Sequence, residues 1–136
     1  MKKIALTVVA GMSLMAGSVF AGGAEVFDFN AEVANADRER PAINRYMVRA
    51  PEYTTSAVVV NKEIPLHQHN DGSHVLYIVS GRGTATLDGK LVMLKPGTVV
   101  HIPQGVMHSI AAKGGRITLV DFVQHAFDPN QAERAK

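Results

Sequence analysis

The sequence predicts an all-β domain, built as an antiparallel sandwich or barrel, and three observations support this. From residue 54 onward, short segments rich in β-branched and apolar residues follow one another with a turn signal between each pair. Asp88-Gly89 is the strongest turn signal, because both positions of a two-residue hairpin loop need positive φ. No comparably long helical period interrupts the series. The 136 residues, 46% of them hydrophobic, suit one packed domain.

The predicted strands lie in the second half of the chain, and the remainder is weakly patterned. They cover residues 54–60, 74–79, 84–87, 91–94, 98–102, 108–112 and 117–123. One or two helical turns are expected within 31–37. Asp128-Pro129 is typical of a helix N-cap followed by proline at the first helical position, so a short C-terminal helix is expected from Pro129.

The first 21 residues predict a secretory signal that is removed. Lys2 and Lys3 precede an uncharged run over 4–21, and Val19-Phe20-Ala21 places a small aliphatic residue at −3 and alanine at −1. The run is also long enough for a transmembrane anchor, which is the alternative, but its small residues and its cleavage pattern favour a signal. The expected location is periplasmic or secreted. The predicted divisions are 1–21 signal peptide, 22–50 N-terminal arm and first strands, 51–125 β-barrel domain, and 126–136 C-terminal tail or short helix.

Charge and cysteine content exclude several classes of function. Without Lys2 and Lys3, 12 basic residues stand against 12 acidic ones, so the mature part is near neutral. We find no basic stripe for nucleic acid and no amphipathic segment for a membrane surface, so neither partner is expected after signal removal. Cysteine is absent, which excludes disulfides, thiolate zinc sites, iron–sulfur clusters and cysteine nucleophiles.

Histidines are concentrated in one short segment. Three of the six fall within His67-Gln-His69-Asn-Asp-Gly-Ser-His74. In a strand, side chains at i and i+2 point to the same face, so His67 and His69 project together, and His74 begins the returning strand. Neutral imidazole is a good ligand for one divalent transition metal, Mn, Fe, Co, Ni, Cu or Zn. The alternative is a solvated surface pair.

Two segments resemble the two cupin motifs, in the right order. The first family motif is Gly, five residues, His-x-His, three or four residues, Glu, six residues, Gly; here it runs Asn61, five residues, His67-Gln68-His69, four residues, His74, six residues, Gly81. The second runs Gly97, five residues, Pro103-Gln104-Gly105, two residues, His108. The resemblance implies a cupin, jelly-roll-like antiparallel β-barrel, here of the small exported metal-binding type.

The resemblance also implies a ligand set. His67, His69 and His108 occupy positions of family metal ligands, and His74 stands where the family has a glutamate. Imidazole in place of carboxylate favours later, softer divalent metals. His74 either completes a four-His site, which we favour, or swings away to leave a three-His face. Asn61 replaces a glycine, and asparagine tolerates left-handed backbone best after glycine. Ala112 replaces the closing Asn of the second motif.

The remaining candidates lie beside the motifs. Tyr77 and Met107 flank the ligands and are expected either to line the pocket or, more often for such residues, to pack in the core. Gln104 is expected near the mouth. His101 is interpreted as a strand residue rather than a ligand, and His125 as a surface residue.

The resemblance leaves three hypotheses about the function. An enzyme, a metal-dependent dioxygenase or isomerase acting on a small molecule, needs open positions on the metal. A non-catalytic periplasmic binding protein would hold a metal or a small ligand. The third hypothesis is a structural protein in which the metal only stabilises the fold. The family resemblance implies a homodimer, and covering an exposed sheet edge gives a physical motive for it.

Overall fold

Two antiparallel sheets dominate the computed structural model, which describes residues 17–19 and 22–126. The elements in chain order are β1 Gly17–Val19, β2 Glu25–Phe27, α1 Phe29–Ala34, β3 Ala42–Arg49, β4 Tyr53–Val60, β5 Glu63–His67, β6 Gly72–Ser80, β7 Gly83–Leu87, β8 Lys90–Leu94, β9 Val99–Ile102, β10 His108–Ala112 and β11 Ile117–His125. One sheet has the order β5-β10-β7-β8 and the other β3-β4-β11-β6-β9, while β1 and β2 form a separate ribbon.

The main core is made of inward-facing residues from both sheets. Alternation along β6 buries His74, Leu76 and Ile78 and leaves the residues between them exposed or half-buried. Ile78 packs in one cluster with Leu94 on the other sheet and with Leu119 on β11. Because the two inner faces are apolar over most of their length, a polar side chain that points inward stands out as a functional candidate.

The all-β prediction is confirmed, and each of the seven predicted strands is present with bounds within two residues of those expected. Asp88 and Gly89 form the predicted two-residue turn, with φ of 49° and 79°, between the paired residues Leu87 and Lys90. Within the described residues the strands pair as separate sheets, and no hydrogen-bonded pairing closes them into one barrel. The predicted helix from Pro129 lies outside the described residues, as does most of the predicted signal, 1–21.

Two strands beside the site were expected without bounds, one among the first strands within 22–50 and one leading into His67 and His69. β3 occupies part of the weakly patterned arm, and β5 contains Pro65. Proline is tolerated in β5 because this strand lies at the edge of its sheet. The expected helical turns are present as α1, which begins two residues before the predicted range; the Asp28 side chain caps it by accepting from the Ala31 N–H at 3.2 Å.

Asn61 has a tethering role rather than a conformational one. Among the described non-glycine residues only Asp88 has positive φ, so the left-handed backbone expected at Asn61 is absent. Instead, its Nδ2 donates to the carbonyl oxygens of Asp37 and Arg40, both at 2.8 Å. These bonds hold the segment after α1 against the start of β5.

Within the described residues, no helix has the length and apolar character needed to cross a membrane.

Candidate metal centre

Four histidines from both sheets converge at one end of the space between them. His67 ends β5 and pairs directly with His108, the first residue of β10. His74 lies on β6 in the opposite sheet. His69 follows β5 in an irregular segment, and its ring stacks on His74 with centroids 4.1 Å apart. The ring centroids of His67 and His108 are 4.2 Å apart and those of His74 and His108 are 6.4 Å apart, so the four rings lie together in one cluster.

The nitrogens of these rings form two overlapping groups. His67, His69 and His108 each offer a ligand atom within 4.8 Å of the other two, and His69, Asp71 and His74 form a second such group. Nε2 of His67 and Nε2 of His69 are 2.9 Å apart. Two imidazole nitrogens bound at about 2.0–2.1 Å on adjacent positions of one metal would lie about 3 Å apart. The observed spacing therefore matches that of two ligands of a single ion.

Backbone carbonyls fix the orientation of two of the rings. Nδ1 of His67 lies 2.7 Å from the Pro65 carbonyl oxygen, and Nδ1 of His108 lies 2.8 Å from that of Val106. A carbonyl oxygen can only accept, so each Nδ1 carries the hydrogen and each Nε2 keeps its lone pair. Metal-bound histidines are oriented by bonds of this kind.

Asp121 does the same for His74 with a carboxylate. Nδ1 of His74 donates to the two carboxylate oxygens of Asp121 at 3.1 and 3.0 Å. His74 is only 7% exposed, and its Nε2 is buried with no hydrogen-bond partner. Buried ring nitrogens are normally satisfied, and the orientation set by Asp121 leaves a lone pair on this one. The donor set therefore fits a divalent transition metal, and His74 has not swung away from the cluster.

Burial and mutual repulsion favour the neutral forms of His69 and His108. Burial is the main cause that lowers the pKa of His69 below its ordinary 6.5, and the positive charges that His74, His67 and His108 would carry lower it further. Burial also lowers the pKa of His108, although its bond to the Val106 carbonyl and the charge of Asp121 act in the opposite direction. Neutral imidazole is the form that binds metal, so both shifts favour ligation at neutral pH.

The cluster opens into a cavity of about 710 Å³ between the sheets. Its walls are mostly apolar, with Ile64 and Ile110 from one sheet and Leu76 and Leu119 from the other. Cavities of this size and character accommodate small organic molecules.

The three predicted pocket residues do not line this cavity. Tyr77 lies on the outer face of β6, 48% exposed, because it has the opposite parity to His74; it is therefore not a core residue either. Met107 is 39% exposed. Gln104 is exposed, and its Nε2 donates to the Asn70 carbonyl oxygen at 2.6 Å. Gln104 therefore anchors the segment that follows His69 instead of facing the cavity.

The two other histidines lie apart from the ligand group. His101 is exposed on β9, as expected for a strand residue without a ligand role. His125 was interpreted as a surface residue, but it is half-buried, lines the cavity, and its Nδ1 donates to the Pro51 carbonyl oxygen at 2.9 Å.

The sequence reasoning missed Asp121. It lies on β11, outside both motifs, and reaches His74 because β11 pairs with β6. A signal was present in the sequence: Asp121 has the inward parity of Leu119 and Val123, which are buried. A carboxylate among apolar residues on an inward face needs a partner, and His74 is that partner.

Comparison with known proteins agrees with this geometry. Residues 56–122 match the Cupin_2 family model, described as a cupin domain. The match covers just under half of the chain and is a similarity to that family. The matched segment contains all four converging histidines, three from the first motif and one from the second, together with Asp121.

The curated relatives of this chain are distant. The uncharacterized protein MJ1618 of Methanocaldococcus jannaschii is 36% identical over 53 residues, which are 39% of this chain and 42% of that protein. Quercetin 2,3-dioxygenase of Bacillus subtilis is 34% identical over 58 residues, which are 43% of this chain and 17% of the enzyme. The chain thus spans less than half the length of either curated relative.

A solved structure shares the fold. A cupin-2 domain containing protein from Shewanella frigidimarina superposes with a TM-score of 0.63 at 22% identity, covering 73% of this chain and 94% of that one. At this identity the likeness concerns the fold alone.

Proposed function

We propose that this protein is a metal-dependent cupin enzyme of the dioxygenase type that acts on a small molecule outside the cytoplasm. The observation that carries the proposal is the buried, unpartnered Nε2 of His74, held toward the histidine cluster by Asp121. The weak similarity to a quercetin 2,3-dioxygenase and the apolar cavity beside the cluster support a small organic substrate.

The residues present divide the work of such a site. His67, His69, His74 and His108 would hold the metal, which when bound supplies Lewis acidity and a position for substrate or O₂. Asp121 keeps His74 in the tautomer that presents Nε2. The apolar side chains of the walls would limit access of water to the reacting groups.

The alternative is a non-catalytic protein that holds a metal or a small chelating ligand. It is favoured by one observation: Asp71 and Asp121 are the only carboxylates lining the cavity in the described part of the chain. Asp121 is already paired with His74, so Asp71 is the one carboxylate left for proton transfer.

A pair of histidine variants tests the proposal. His108→Ala should lose bound metal and turnover, while His101→Ala, which removes an exposed imidazole away from the cluster, should keep both. Metal content is measured by mass spectrometry, and O₂ consumption is followed with phenols, diketones and thiols. A metal affinity in His108→Ala equal to that of the wild type would contradict the metal site. Tight metal binding without turnover of any compound would favour the binding protein.

Export and dimerisation are further parts of the proposal. Cell fractionation and the intact mass of the purified protein test cleavage after Ala21. Light scattering during gel filtration tests the homodimer, for which an edge strand, β8, offers exposed Leu91 and Met93.

A further inference from the structure

A bulge in β3 changes which of its side chains face the cavity. Ala42, Asn44 and Tyr46 line the cavity in the alternation expected of a strand. The register against β4 then shifts between Tyr46 and Val48, and the next lining residue is Arg49. Uninterrupted alternation would have turned Val48 inward. The bulge therefore brings a guanidinium to the cavity where an apolar side chain would otherwise point.

The bulge is supported by contacts outside the cavity. The Val48 N–H donates to the Thr55 hydroxyl oxygen at 3.3 Å. Met47, the extra residue, packs on the opposite face against the cluster that contains Val33 and Val59. Because these contacts do not involve the cavity, the position of Arg49 is built into the fold.

Arg49 is an exposed residue at the cavity whose guanidinium lies over an aromatic ring. Its Cζ lies 4.0 Å from the centroid of the Tyr46 ring, a cation–π contact that orients the guanidinium plane and leaves its N–H edges available. Within the described residues, no carboxylate forms an ion pair with Arg49. Arg49 is also the only arginine or lysine lining the cavity over that part of the chain.

We propose that Arg49, positioned by Tyr46, determines specificity by binding the carboxylate of a small substrate that occupies the cavity beside the metal. This inference rests on the proposed function, since it assigns a substrate class to the same site. A guanidinium fork matches a carboxylate through two parallel hydrogen bonds. A single permanent cation beside apolar walls suits a monoanion with an apolar body. A phosphate dianion is less suitable, because it would be repelled more strongly by Asp71, which also lines the cavity.

The test compares an acid with its neutral isostere. Binding of 4-hydroxyphenylacetate and of its primary amide to the full chain is measured by isothermal titration, in metal-loaded and in chelator-treated protein. The wild type should prefer the acid by roughly tenfold, the lower end for a hydrogen bond to a charged group at a partly solvated site. Arg49→Gln should abolish the preference and Arg49→Lys should retain part of it. Arg82→Gln removes an exposed arginine that does not line the cavity and should behave as wild type.

Tyrosine variants test the positioning role. Tyr46→Phe keeps the aromatic face and should keep the preference, whereas Tyr46→Leu removes the face and should reduce it several-fold. An acid preference equal in wild type and Arg49→Gln, or absent from the wild type in both forms, would overturn the inference. The same samples are analysed for metal: failure of the wild type to bind metal would contradict the proposed function, while the comparison in chelator-treated protein would still decide the role of Arg49.

Discussion

Replacing Asp121 with asparagine tests how the fold prepares His74 for a metal. The carboxylate accepts the Nδ1–H of His74 at 3.0 Å, and its side chain is only 13% exposed. Asparagine has nearly the same shape, so packing against the neighbouring strands should persist. The substitution removes the negative charge of the acceptor. It also allows the other tautomer of His74, because an amide N–H can donate to Nδ1 and leave the ring hydrogen on Nε2, where it blocks metal ligation.

The magnitude follows from these two changes. A hydrogen bond to a charged acceptor is about twice as strong as one to a neutral acceptor, which accounts for about 1 kcal/mol. Competition between the tautomers adds to this, and the low exposure of the pair limits screening by solvent. We expect Asp121→Asn to weaken metal binding by roughly 10- to 100-fold, the range typical of groups that orient metal ligands.

The assay is a competition titration of zinc against a colorimetric chelator. Asp88→Asn is the matched control, because Asp88 lies in the β7–β8 turn, outside the cavity lining, at a left-handed position that asparagine tolerates. The control should bind zinc as the wild type does. If Asp121→Asn binds zinc within twofold of the wild type, Asp121 does not prepare His74 and our account of the orphaned Nε2 is wrong.

Three further changes test the cluster and the fold. Burial lowers the pKa of His69 and His108 in the folded state, so the unfolded chain binds more protons as the pH falls. The Tm of chelator-treated protein should therefore be constant at pH values above the ordinary pKa of 6.5 and should decrease as the pH falls below it. The decrease should be less steep in His69→Gln. A flat Tm from about pH 7.5 to 5.5 would contradict this. Gly83→Ala would place a Cβ 2.8 Å from Cδ1 of Ile117 and against the backbone of β10, so urea unfolding should show a loss of about 1–3 kcal/mol or more; Gly89→Ala, which meets no atom within 4 Å, has no such clash. Asn61→Ala removes both 2.8 Å bonds to the segment after α1 and should cost about 1 kcal/mol; unchanged amide exchange in residues 37–40 would show that the tether is unimportant.

Local patterns in the sequence were sufficient for most of the fold. Turn signals such as Asp88-Gly89 delimit hairpins because few residues adopt positive φ, and the strands between them alternate in burial. The bounds of β3, which lies within the predicted arm and first strands, escaped prediction because its stabilising partners β4 and α1 lie outside the strand itself. Its bulge at Tyr46 is likewise a product of pairing and leaves no local signature.

The proximity of the four candidate ligands was predicted from the sequence, but their surroundings were not. The spacing of His67 and His69 and the two motifs placed the four histidines together. Tyr77 could have been excluded from the sequence, since it has the opposite parity to His74 on one strand. Asp121 is 47 residues from its partner, and only the pairing of β6 with β11 brings the two side chains into contact.

X-ray absorption spectroscopy of the metal-loaded full chain measures the environment of the ion itself. Three or four imidazole nitrogens at about 2.0–2.1 Å around one ion per chain are expected if the rings of both sheets share it. His74→Ala should remove one of them if that ring ligates. A shell dominated by water or carboxylate oxygen, or a chain that takes up no transition metal, would contradict the central claim.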